Sequence, residues 1–142
     1  MSTYLLATDA DWIRDDIAAA LGDSDTAIKL VRAGRDVVPA VAELRPELVI
    51  LDLQLGNMGG MAACMNLRLE AGAGRIPDVV VLMLLDRQAD VFMAQRCDAD
   101  GWLIKPLDAF RLRRAVTALL AGDTFMEGLP PEPAGAEAAV SG

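Results

Sequence analysis

A doubly wound α/β fold built on a five-stranded parallel sheet is the architecture this sequence predicts, and three observations predict it. Short apolar runs alternate with helix-period segments, as parallel strands joined by right-handed crossovers require. The near-continuous Val/Leu runs at 48–51 and 79–82 fit interior strands buried on both faces. At 142 residues, 54% of them hydrophobic, the chain is long enough for one well-buried core and too short for two ordinary domains.

The elements follow in order. "TYLLAT" (3–8) reads as a strand, and "DWIRDDIAAAL" (11–21) as a helix with Trp12, Ile13, Ile17 and Leu21 near one face. "TAIKLV" (26–31) is a second strand. "DVVPAVAEL" (36–44) is a second helix that tolerates Pro39 because it lies in the first turn. "ELVILD" (47–52) is a strand, "GMAACMNLRLEA" (60–71) a helix and "DVVVLML" (78–84) a strand. A helix is expected over about 88–96, a short strand at "GWLI" (101–104), and a helix at "AFRLRRAVTALL" (109–120) capped by Asp108. Residues 1–122 are therefore expected to form the domain and 123–142 a flexible, disordered tail. Within that tail "GLPPEPAGAEAAVSG" (128–142) cannot bury enough surface to offset its ordering entropy and leaves no room for an output domain.

Composition narrows the function. A formal charge of -8 and a pI near 4.4 argue against direct nucleic-acid binding, since no basic face is available to release counterions. Arg111, Arg113 and Arg114 cluster on one helix, where a solvated face is the ordinary explanation. Cys64 and Cys97 form no C-x-x-C, and the chain has no histidine, so a zinc site and a Cys/His nucleophile pair are disfavoured and reduced core thiols are expected. There is no basic n-region with a long apolar h-region, and no stretch approaches the length of a membrane span. A soluble, cytoplasmic protein without membrane contact is the expectation.

The stretch "ELVILDLQLGNMGG" (47–60) carries the chemistry. Asp52 ends an apolar run where a buried strand leaves the core, and an acid there costs energy unless something binds it. Ligands of open parallel sheets bind beyond the carboxyl ends of the strands, and Asp9, Asp52 and Lys105 all fall at such ends. Two acids brought together repel, and a divalent cation or the ammonium relieves that repulsion. A hard cation such as Mg2+ suits carboxylates, a carbonyl and waters. The glycine-rich turn lets the backbone pass close by. Taken singly, Asp9 reads as a helix cap and Lys105-Pro106 as a strand-ending turn. "GNMGG" matches neither G-x-G-x-x-G nor G-x-x-x-x-G-K-[ST], so a nucleotide cradle is not expected. Met58, Met61, Met65 and Met93 read as core filler or a soft interaction surface.

From about Tyr4 to Leu120 the chain resembles the receiver domain of two-component response regulators. "RAGRDVVPAVAELRPELVILDLQLGNMGG" follows that family through its second helix, third strand and phosphoacceptor loop, and "DADGWLIKPLDAFRL" resembles its fifth strand, Lys-Pro step and capped last helix. The resemblance implies a (βα)5 flavodoxin-like receiver fold. It makes Asp52 the phosphoacceptor, Asp9 the metal-binding acid and the Gln54 backbone carbonyl a further ligand of Mg2+. Lys105 would neutralise the phosphoryl oxygens and be joined to Pro106 by a cis bond, and Trp102 would hold the aromatic switch position.

Departures from the pattern accompany the matches. Thr8 replaces the first of two adjacent acids, so metal binding should be weaker. Met83, 22 residues before Lys105 where a switch Ser or Thr is usual, cannot donate a hydrogen bond. Leu84 replaces a small residue beside the phosphoacceptor. Gly56 stands where proline is common, and Asp98 where glycine is common, a place Asp tolerates in a left-handed backbone.

Two receiver readings follow. In one, a stand-alone response regulator accepts a phosphoryl group at Asp52 from a histidine kinase or phosphotransfer protein. It then signals to a downstream protein through the face formed by 88–96, 101–104 and 109–120. In the other, an atypical receiver acts as a phosphorylation-independent interaction module. Phe92, Met93, Trp102 and Phe110 among Arg87, Arg111 and Arg114 suit that face to protein recognition, including a homodimer, although Phe92 itself is expected to be buried. No enzymatic turnover is expected beyond self-catalysed phosphoryl transfer and autodephosphorylation. An aspartyl-phosphate phosphatase would want an acid where Gln54 stands. A flavodoxin-like cofactor binder shares the fold.

Overall fold

The computed structural model describes residues 2–56 and 58–127. All strands run parallel in one sheet: β1 (Ser2–Ala7), β2 (Thr26–Val31), β3 (Leu48–Asp52), β4 (Val80–Leu85), β5 (Gly101–Ile104) and β6 (Phe125–Met126), in spatial order β2-β1-β3-β4-β5-β6. The helices are α1 (Asp11–Leu21), α2 (Val37–Leu44), α3 (Gly60–Gly72), α4 (Val91–Arg96) and α5 (Ala109–Leu120). This is the doubly wound flavodoxin-like arrangement, with β6 added to the expected strands.

Alternation along the strands builds two cores. Leu48 and Ile50 of β3 join Leu6, Ile13, Ile17, Leu112 and Val116 on the side covered by α1 and α5. Val49 and Leu51 join Val37, Val41, Cys64, Leu67 and Ala94 on the side covered by α2, α3 and α4. Every residue of β3 is buried, as an interior parallel strand should be. Each large aliphatic side chain so buried contributes about 1.5–3 kcal/mol. Asp108 caps α5, its carboxylate accepting the Arg111 N–H at 2.9 Å; such a cap contributes about 1 kcal/mol. Asp98 adopts the left-handed backbone at φ 64°.

Three local expectations need correction. Trp12 is 51% exposed, because Ile13 and Ile17 alone form the buried stripe of α1. Phe92 is 61% exposed instead of buried. The region 88–96 is a 3-10 turn (Gln88–Asp90) followed by the short α4, whose core side is taken by Val91 and Ala94; Phe92 points outward beneath the Arg96 guanidinium, 4.8 Å from its ring centre. Third, Phe125 and Met126 are strand and not tail, pairing with Gly101 and Trp102. The remainder of the expected tail, 128–142, lies outside the described residues.

β6 brings Glu127 to the end of β5. The Trp102 indole N–H donates to the Glu127 carbonyl at 2.7 Å, and the Glu127 carboxylate accepts the Ile104 N–H at 3.0 Å. Arg111 Nε donates to the same carboxylate at 2.6 Å, and its Nη2 makes a second, shorter contact. Arg111 also donates to the Ile104 and Pro106 carbonyls, at 2.9 and 2.8 Å. Trp102 is fully buried beneath this clasp.

Burial pushes the Glu127 carboxyl upward, but the Arg111 and Ile104 hydrogen bonds outweigh it and hold it below the ordinary glutamate value. A depressed folded pKa contributes stability that is present above the unfolded value and lost as pH falls through the folded one. Glu127→Gln should therefore lower stability by about 1 kcal/mol near neutral pH, and the gap to wild type should close on acidification below about pH 5. Urea titrations of both proteins at neutral and acid pH test this; a gap that is constant with pH would mean that Glu127 acts through shape alone.

Candidate functional site

The carboxyl ends of β1, β3, β4 and β5 meet at a cavity of about 310 Å³ lined by Asp9, Asp52, Gln54, Asp86 and Lys105, with Ala10, Trp12 and Ile13 of the α1 end closing one wall. Asp52 ends β3 and is only 1% exposed. A carboxylate so placed needs donors, and three reach it. Lys105 Nζ donates to Oδ1 at 2.6 Å and the Gln54 N–H to the same oxygen at 3.1 Å; the Thr8 hydroxyl donates to Oδ2 at 2.7 Å. Thr8 is itself buried, and its Oγ1 accepts the Ala10 N–H at 3.1 Å. The residue that departs from the paired acids thus holds the carboxylate it adjoins.

Lys105 follows β5, its N–H donating to the Leu85 carbonyl at 2.8 Å, and the Lys105-Pro106 bond is cis. Its ammonium also donates to Asp86 Oδ1 at 2.8 Å, and Gln54 Nε2 donates to Asp86 Oδ2 at 2.6 Å. Burial pulls the Lys105 pKa down, but the hydrogen bonds and charges of Asp52 and Asp86 outweigh it and hold the pKa above the ordinary lysine value. For Asp86, burial pushes upward, and the bonds from Lys105 and Gln54 with the nearby Lys105 charge hold it below the ordinary aspartate value.

Asp9 is an exposed residue of the cavity wall. It does not cap α1, whose N-cap is Ala10. A Cβ at Gly56 would meet the Asp9 carboxylate, so the loop after β3 passes close to Asp9 at this glycine. A Cβ at Gly60 would overlap the Asp52 carbonyl, the close approach expected of the glycine-rich turn. Two carboxylates and the Gln54 loop at one opening form an all-oxygen donor set of the kind a hard cation takes. Mg2+ bound here would be held by Asp9 and Asp52, with the Gln54 carbonyl as the further ligand that the resemblance implies, and would offset charge on a transferring phosphoryl group.

Met83, Leu84 and Trp102 do not line this cavity. Counting 22 residues back from Lys105 lands inside β4, where Met83 packs in the core between Leu51 and Trp102 and Leu84 pairs with Asp52 in the opposite layer. The carboxyl end of β4 is Leu85, and the first side chain beyond it is Asp86. Sequence reading missed Asp86, although "VVVLMLLD" repeats the signal that singled out "LVILD": an apolar run ending in an acid.

The fold and pocket define a flavodoxin-like α/β domain with an acid–lysine site at the carboxyl edge of its sheet. Residues 5–117 match the response regulator receiver domain family. The DNA-binding response regulator MtrA of Mycolicibacterium paratuberculosis is 36% identical over 96 residues, covering 68% of this chain and 40% of MtrA. The nitrate/nitrite response regulator protein NarL of Escherichia coli is 28% identical over 133 residues, 92% of this chain and 60% of NarL. The structure of chemotaxis response regulator CheY4 of Vibrio cholerae superposes with a TM-score of 0.73 at 21% identity, over 84% of this chain and 98% of that one; at that identity the likeness shows the fold. The chain belongs to the response regulator receiver domain family. It spans less than two thirds of either curated relative.

Thr8→Val keeps the shape of residue 8 and removes the donor to Asp52 Oδ2. Because that oxygen is buried, stability should fall by about 1–3 kcal/mol, whereas Thr8→Ser should retain most of it. Urea denaturation of the two variants measures the difference, and equal losses would show that the hydroxyl is not what Asp52 requires.

Proposed function

We propose that this receiver domain accepts a phosphoryl group at Asp52 from a histidine kinase or phosphotransfer protein and passes the signal on by protein–protein contact. The observation that carries this reading is the placement of Asp52: a buried carboxylate lining a cavity, with an ammonium 2.6 Å from one oxygen and a second acid, Asp9, in the same lining. A carboxylate oxygen attacks phosphorus as the donor's P–N bond breaks. The new P–O bond gives an acyl phosphate, and the leaving imidazole departs neutral, carrying one proton. Little covalent chemistry falls to the protein, and positioning and charge supply the rest. Lys105, already aimed at Asp52, follows the charge onto the equatorial oxygens.

The edge between α4 and α5, where β6 covers β5, is the proposed contact surface for the downstream protein and for any second copy of the chain. Phe92 and Phe110 are exposed, with Arg96 and Arg114 stacked on the two phenyl rings, while Met93 lines a separate groove with Met61 and Met65 of α3. Aromatic and Arg side chains so arranged suit a protein interface. The net charge of -8 favours protein partners over nucleic acid. Among the described residues no helix is long and apolar enough to cross a membrane.

A phosphorylation-independent interaction module is the second reading. It is favoured by the contacts that already satisfy Asp52: both its oxygens accept hydrogen bonds, and residues 86–90 after β4 carry no hydroxyl. Incubation with acetyl phosphate and Mg2+ separates the two. A single hydroxylamine-sensitive phosphoryl mass increment is expected in the wild type and none in Asp52→Asn, with Lys105→Ala slowed by at least about tenfold. No increment in the wild type would favour the module; an increment that survives Asp52→Asn would place the acceptor elsewhere.

A further inference from the structure

Asp86 is a charged pocket residue to which the proposed transfer assigns no task. Its side chain is 28% exposed, and Lys105 is shared between it and Asp52. Its backbone is tied to α4. The N–H groups of Asp86 and Arg87 both donate to Asp90 Oδ2, at 3.2 and 3.0 Å, and Asp90, 9% exposed, immediately precedes Val91. Displacement of Asp86 therefore pulls on the turn that starts the helix carrying Phe92 and Met93.

A hydroxyl after β4 would couple by attraction, donating to an oxygen of the phosphoryl group. An ionised carboxylate has no proton to donate. What it has is charge of the same sign as the incoming group and a lysine that both anions need.

We propose that Asp86 is a switch residue of reversed sign: an anionic group arriving on Asp52 draws Lys105 away from Asp86 and repels the released carboxylate, and the displacement of Asp86 carries the event through Asp90 to α4. This rests on Asp52 being the phosphoacceptor. The two states differ in which anion holds Lys105, so the arriving group has the differential affinity that switching requires. Asp86 also opposes its own trigger, and removing its charge should tighten anion binding at Asp52 while weakening the message to α4.

The test is an amide NMR titration with beryllofluoride and Mg2+, a mimic that coordinates a carboxylate oxygen, on the wild type, Asp86→Asn, Asp86→Glu and Asp52→Ala. Asn keeps the size of residue 86 and its acceptor for Lys105 while losing the charge; Glu keeps the charge. Asp86→Asn is expected to bind about tenfold more tightly than wild type, the order expected when one like charge leaves a partly exposed pocket. Its shifts at Phe92 and Met93 should fall to about half those of the wild type or less. Asp86→Glu should keep wild-type shifts in α4, which a merely structural role would not predict. Equal affinities and equal α4 shifts in wild type and Asp86→Asn would overturn the switch and leave the phosphoacceptor reading intact. Binding that is absent from both, or that persists in Asp52→Ala, would overturn both.

Discussion

The burial of one carboxylate organises the end of this molecule where ligands bind. Asp52 belongs to an interior strand covered on both faces, so its side chain emerges at 1% exposure, and an ionised acid there persists only if the protein supplies donors. Those donors come from three places in the chain: Thr8 after β1, the Gln54 N–H in the loop after β3, and Lys105 after β5. Backbone bonds set the same spacing, with the Leu53 N–H on the Leu84 carbonyl at 2.9 Å and the Lys105 N–H on that of Leu85. Four strand ends are thus held in one geometry around one charge, and the close approach of Gly60 to the Asp52 carbonyl belongs to it.

Seen from that charge, the departures from the receiver pattern are linked. An acid at residue 8 would add a second negative group beside Asp52, and Thr8 instead brings a donor. An acid appears at residue 86, on the far side of Lys105. The pocket retains three acids to one lysine, but its negative charge has moved from the end of β1 toward the end of β4. A cation at Asp9 and Asp52 would then meet one carboxylate fewer on its own side, which is the physical content of the expectation that metal is held more weakly.

Most of the fold was legible in the sequence because periodicity reports burial directly. α1, α5, β2 and β5 fall at their expected residues, and Asp9, Asp52 and Lys105 converge as the strand-end rule requires. What escaped had a local cause. β6 is two residues long, too short for alternation to show, and it is held by the clasp of Glu127 on Arg111 and Trp102, a tertiary contact. Phe92 reads as core by hydrophobicity alone, but a six-residue helix has only one buried side and Val91 and Ala94 occupy it. The switch position was located by counting from Lys105, and a count carries no knowledge of where β4 stops. The strand itself shows that its end is Leu85 and its first pocket residue Asp86.

The clasp constrains how a signal can leave the pocket. Trp102 is fully buried in the layer facing α4, and its indole N–H is bound to the Glu127 carbonyl from the β6 side. Reorienting that ring would break the indole bond and disturb the Glu127 bonds to Ile104 and Arg111. The β4–α4 connection is held differently. It is a 3-10 turn and a six-residue helix, anchored at the core by Val91 and Ala94 and at the pocket by the Asp86 and Arg87 N–H bonds to Asp90. Small shifts are amplified where the structure has two available packings and absorbed where it has one. If Asp86 moves as proposed, the bonds through Asp90 give the pocket a path to α4 that leaves the Trp102 clasp intact.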